Sequence, residues 1–259
     1  MYRAHNYHIL IYAAMLAGQF KVALNTAARL EHAIPEDLLR IEPPPMAMFL
    51  ESFVPMRVHI FVRFGRREGI IDLTVPQDQV LYFMTTTSVD YSKVIAFGLV
   101  PPTRMLHNNT CVDILAVAVA MLDGELEYRR GDVDLAFQYV HRSIDLYDKL
   151  PYDEPRGWMQ LARHVYGALL LDQGFVAEAA EVYDADLGID DIIPRAKQHP
   201  NNVWSLHGYL ECLVKLGRQA AASIIRPQLR FATATVDVKI HSSCFCRLNT
   251  STIGTGAKA

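Results

Sequence analysis

The stretch GALLLDQGFVAEAAEVY, residues 167–183, sets a glycine, a second glycine seven positions on and an alanine five beyond that in one run. The same beat returns in GELEYRRGDVDLAF, residues 124–137, at Gly124, Gly131 and Ala136. In both runs the second glycine closes an apolar stretch of helical period, and glycine suits the left-handed backbone position that ends a helix. A short polar link follows, then another stretch of helical period. Each run therefore reads as two helices joined by a glycine turn. Antiparallel helices approach closely only where side chains are small, which sets Gly167 against Ala179, with Gly174 at the turn. Tyr183, one turn beyond Ala179, is expected to fill the space beside the next hairpin.

Working outward, Gly18, Gly65, Gly98, Gly131, Gly174 and Gly217 all end amphipathic stretches, at intervals of 47, 33, 33, 43 and 43 residues. Ala23, Ala136, Ala179 and Ala222 each stand five residues past a glycine. Spacing of this kind marks a helical solenoid. The pattern slips twice. Ile70 replaces the alanine after Gly65, so that crossing should be wider. After Gly98 the chain runs LVPPTRMLHNNT, residues 99–110, too short and proline-rich for a second helix before the one beginning near Val112. The helix expected over Val80 to Phe97 thus lacks a hairpin partner. Pro227 should kink or divide its helix. Only ATATVDVKI, residues 232–240, alternates like a strand. The fold expected is all-α, an α-α superhelix or right-handed solenoid of antiparallel hairpins over residues 1–246, with a disordered tail at 247–259.

Composition narrows the function classes. A net charge of −3, from 25 basic and 28 acidic residues, gives no electrostatic case for nucleic acid or an anionic membrane. The apolar run ILIYAAMLA, residues 9–17, is about half the roughly 20 residues needed to cross a bilayer. The N-terminus has no signal-peptide pattern, so a cytoplasmic protein with reduced cysteines is expected.

The hairpin pattern resembles the tetratricopeptide repeat. Tyr7, Gly18, Phe20, Ala23 and Pro35 match its signature in the first hairpin. Gly124, Gly131 and Ala136 match in a second, Gly167, Gly174, Ala179 and Tyr183 in a third, and Leu206, Gly217 and Ala222 in the last. Together they cover about half the chain. The phrases AHNYHILIYAAMLAGQ (4–19), HPNNVWSLHGYLECLVKLGR (199–218) and HSSCFCR (241–247) are similar to the C-terminal part of larger microbial tetratricopeptide-repeat proteins. That resemblance implies a shortened copy, with no reaction or ligand attached. Some chaperone-binding members of the family hold a partner's C-terminal carboxylate with lysine and asparagine. Here His, Glu and Ala168 occupy those places, so the carboxylate clamp does not carry over.

No phosphate loop, dinucleotide fingerprint, nucleophile elbow or zinc-protease helix occurs, and no cofactor is expected. His241, Cys244 and Cys246 offer three zinc-type donors, yet the single residue between the cysteines is tighter than structural zinc sites use. Ordinary packing or an exposed tail is the expectation there. His5 and His8 share a helical face without a third ligand nearby in sequence. In the resembled family the first helix of each hairpin lines a concave groove. Ten residues back from Gly18, Gly174 and Gly217 stand His8, His164 and His207; six back from Gly18, Gly131 and Gly217 stand Tyr12, Glu125 and Glu211. His5, Tyr128, Arg129, Trp204 and Lys215 extend the same stripe.

The expected function is a non-enzymatic scaffold that takes an unidentified peptide or protein partner in that groove. The alternatives are a metal-binding or hydrolytic protein using His5, His8, His164 and His207 with Glu125 or Glu211, and a shortened gene product with no independent function. The first hairpin carries apolar residues on more than one face and no cap, so self-association through Ile9, Leu10 and Ala13 is also expected.

Overall fold

Residues 2–89 and 103–247 are described in the computed structural model. Gly98, the end of the expected Val80–Phe97 helix and the tail from Leu248 lie outside them. The described chain is mostly helical: α1 (Tyr2–Leu16), α2 (Phe20–Ala33), α3 (Glu36–Leu39), α4 (Ala47–Leu50), α5 (Met56–Arg63), α6 (Arg67–Ile71), α7 (Phe83–Val89), α8 (Cys111–Arg130), α9 (Val133–Lys149), α10 (Ala162–Gln173), α11 (Val176–Leu187), α12 (Val203–Lys215) and α13 (Gln219–Ala232). Two strands, β1 (Met105–Leu106) and β2 (Asn109–Thr110), form a small antiparallel hairpin before α8. Among the described residues, no helix is long and apolar enough to cross a membrane.

The glycine turns are present. Gly131 and Gly174 adopt φ of 92° and 83°, in the left-handed region open to glycine, and Gly18, Gly65 and Gly217 do likewise. Of the five helices that follow these turns only α9 begins on a side-chain cap, while α12 and α8, entered from longer links, are capped as well. Asp132 Oδ1 accepts from the Leu135 amide at 3.1 Å, and Asn202 Oδ1 accepts from the Ser205 amide at 2.9 Å. Thr110 caps α8 in the same way through Asp113 N.

Contacts divide the chain into two compact units, Met1–Met15 with Gln19–Gln160, and Leu16–Gly18 with Leu161–Ala259. In the first, α8 packs along α9. A Cβ added at Gly124 would meet Val140 and come within 3.0 Å of the Ala136 carbonyl, so this crossing has the small-residue form expected. In the second unit α10, α11, α12 and α13 pack in succession, and α10 also touches α12. The crossing here differs from expectation. A Cβ on Gly167 would collide with the ring of Tyr183, and so would one on Gly208. The two glycines clear space for that ring, which is wholly buried, while Ala179 is not among the atoms nearest Gly167. Tyr183 Oη and Ser243 Oγ are hydrogen-bonded at 2.5 Å, and Ser243 donates to the His164 carbonyl at 3.0 Å.

Other local expectations are corrected. The helix after Gly65 is reduced to the five residues of α6, none of them fully buried, with Gly69 close against the Phe61 ring of α5. Pro227 does not divide α13, which runs continuously from Gln219 to Ala232; the proline and Ser223, whose carbonyl loses a helical donor, are both exposed, where water can replace the bond. Residues 232–240 form the end of α13, a 3-10 turn at Thr233–Thr235 and irregular chain, not a strand.

Candidate functional site

Lys215 closes α12, and four residues of the expected groove stripe, Trp204, His207, Glu211 and Lys215, lie on this helix. His207, Leu210, Glu211, Val214 and Lys215 stand at i, i+3, i+4, i+7 and i+8, one face of a helix. With Leu229 of α13 they line an open concavity of about 390 Å3. Val214 is 44% exposed there, an apolar side chain left in water on a face whose neighbours are charged.

Glu211 anchors the charge. Arg247 Nη1 and Nη2 donate to its two oxygens at 2.7 and 2.9 Å, and Lys215 Nζ lies 3.3 Å away. Burial works to raise the Glu211 carboxyl, but the hydrogen bonds and charge of Arg247, then those of Lys215, outweigh it and hold the group below its ordinary value. Arg247 also approaches Asp172 at 3.9 Å. Burial pushes the His207 imidazole down, so it is neutral at pH 7, and its Nδ1 is enclosed without a hydrogen-bond partner.

The remaining stripe residues are elsewhere. His8, His164 and Trp204 are fully buried, which removes them from any open groove. Trp204 sits with its ring 6.2 Å from Phe245. His164 is held by a carboxylate: its Nε2 lies 2.9 Å from Asp186 Oδ2, while His199 Nδ1 lies 2.8 Å from Oδ1. Ser205 Oγ and Asn202 Nδ2 donate to Asp186 Oδ2 at 2.6 and 3.1 Å. Burial alone would raise the Asp186 carboxyl; His164 and His199 overcome it and hold it well below the usual range. Asp186 thereby ties the end of α11 to the start of α12.

In the first unit, α1 brings His5 and His8 against His107, the first turn residue between β1 and β2, whose φ of 52° is unusual for a side chain larger than glycine. His8 Nδ1 and His107 Nε2 are 3.4 Å apart, and the His5 and His107 ring centroids 4.9 Å. Asp153 lies beyond, its Oδ1 3.5 Å from His107 Nδ1. Burial drives His8 well below its ordinary value, aided by the charges of His107, His59 and His5. His5 Nδ1 and His8 Nε2 are enclosed without hydrogen-bond partners. The structure thus supplies the third imidazole that sequence spacing lacked, with the His8 and His107 ring planes inclined at 28°. Among the described residues, no group of three or more His, Cys, Asp or Glu is placed to hold a metal ion.

Tyr12 and Tyr128 are half-buried, and Arg129 is exposed. Glu125 faces a separate cavity, beside His59 and Trp158. Cys244 and Cys246 are joined as a disulfide and His241 is exposed, so this trio does not form a ligand set and the expectation of reduced cysteines fails there. Cys111 and Cys212 are free and buried. Asp186, His107 and Arg247 went unnoticed in sequence. Only Arg247 carried a signal, as the sole cation of HSSCFCR. Compared with known proteins, the chain matches no family model, no curated protein and no solved structure.

Proposed function

We propose that the protein is a non-enzymatic scaffold of tetratricopeptide-like hairpins that binds a short peptide segment of a partner on the outer face of α12. The observation that carries this is the alignment of His207, Leu210, Glu211, Val214 and Lys215 along one open concavity. Leu210, Val214 and Leu229 give an apolar seat, and Lys215, with the Arg247–Glu211 pair, gives a polar edge; this combination suits a peptide anchored by one apolar side chain. The contact of α10 with α12, first helices of successive hairpins, supports the repeat arrangement. The buried His8, His164 and Trp204 serve packing in this scheme, and the binding surface is shorter than the stripe counted from the glycines.

Selection of a random peptide library on the immobilised protein tests the proposal. Peptides with a shared apolar anchor should be recovered on the wild type and lost on Val214→Asp. Recovery of no consensus, or of the same consensus on both proteins, contradicts it.

A further inference from the structure

The unit that contains α8 holds a partly open cavity of about 200 Å3. Its walls are largely apolar, with Val62 from α5, Met121 and Leu122 from α8, and Trp158. Among the described residues two ionisable groups face it, His59 and Glu125. An apolar cavity of ~150 Å3 stays dry and takes up benzene in a well-studied case, so this volume admits one ring and a short chain.

The polar groups define what the chain should carry. Burial lowers His59 to about 4, so its imidazole is neutral at pH 7. The ring is fixed edge-on to Trp158 with centroids 4.9 Å apart, and Gln160 Nε2 donates to the His59 carbonyl at 2.7 Å. Among the described residues Glu125 is the one carboxyl in the lining. Burial raises it to about 7, against a weaker pull from Arg129, one turn further along α8. No lysine or arginine lines the cavity among the described residues. An anionic ligand would meet Glu125 as a like charge, whereas a cationic head would restore its ionised form.

We propose that this cavity binds a small primary amine bearing a single aromatic ring, with the ammonium on the Glu125 carboxylate and the ring against Met121, Val62 and Trp158. A ligand without the amine keeps only the apolar contact. An amine longer than a ring and two or three carbons does not fit.

Calorimetric titration of the full chain with 2-phenylethylamine, and with 2-phenylethanol as its neutral counterpart, tests this. The amine should bind about tenfold more tightly than the alcohol at pH 8, a difference of ~1.4 kcal/mol. That preference should shrink toward pH 6 as Glu125 takes up its proton, while His59 stays neutral across this range. Glu125→Gln should bind both compounds equally, and Met121→Trp, which fills the cavity, should bind neither. Circular dichroism establishes that each variant is folded, and Leu122→Phe replaces Met121→Trp if the latter is not. Failure of the amine to bind the wild type, equal binding of amine and alcohol at pH 8, or undiminished amine binding to Glu125→Gln or the filled variant would overturn the proposal.

Discussion

Replacing Gly167 with alanine opposes two effects of known size. In an exposed helix the change stabilises by about 1 kcal/mol, because glycine is the poorer helix former. Here the added methyl would meet Cε1 of Tyr183 at 2.7 Å and Oη at 2.8 Å, well inside contact distance. The ring cannot retreat, since Gly208 lies equally close on its other side, and its hydroxyl is held by Ser243. Overpacking a closed site costs ~1–3 kcal/mol, so against that gain Gly167→Ala should destabilise by a net ~0–2 kcal/mol. Urea unfolding followed by circular dichroism reads this directly. A double-mutant cycle with Tyr183→Leu isolates the contact: the smaller side chain should remove most of the penalty, leaving a coupling of at least ~1 kcal/mol. A Gly167→Ala variant more stable than the wild type, or strictly additive variants, would refute the glycine clamp.

Asp186→Asn should cost about 3–5 kcal/mol, because four donors converge on a buried carboxylate and an amide cannot accept from all of them; chemical denaturation checks it, and a cost below ~1 kcal/mol would contradict the role assigned to the group. His59, lowered from 6.5 to about 4 in the fold, contributes stability that is present above pH 6.5 and lost as pH falls toward 4, up to ~3 kcal/mol. Glu125, raised from 4.5 to about 7, acts in the opposite sense: its contribution is full below pH 4.5 and lost as pH rises through 7, so Glu125→Gln should raise stability at pH 8 relative to pH 4.5, measured as the shift in urea midpoint. Ile9 and Leu10 of α1 are 39% and 42% exposed, and the self-association proposed through them should diminish in the Ile9→Lys, Leu10→Lys double variant by light scattering. Equal scattering from the two proteins would exclude this face.

The turns were legible because φ near +70° to +90° is a property of glycine itself, readable wherever helical periodicity stops. The packing beside them was only partly so. Gly124 meets the Ala136 backbone, but Gly167, in the same local pattern, serves a tyrosine two turns past the turn glycine, and Gly208 on a third helix joins it. Counting back from the glycines placed histidines on a face, and burial depends on what covers that face. His8 is covered by His107, 99 residues away, and His164 by Asp186. Neither partner has a fixed spacing from the turn. The strand expected at residues 232–240 rested on alternation alone, while the short strands at Met105–Thr110 flank the turn residues His107 and Asn108, with no apolar alternation to reveal them.

Fluorescence anisotropy of a labelled peptide obtained by selection on the wild type tests the α12 surface most directly, with Ile224→Asp on exposed α13 as the matched control. Ile224 is 64% exposed and does not line the concavity, whereas Val214 does. Val214→Asp should weaken binding by about tenfold or more, Lys215→Glu by less, and Ile224→Asp by under about twofold. Equal affinity of the Val214→Asp and Ile224→Asp variants would contradict the account.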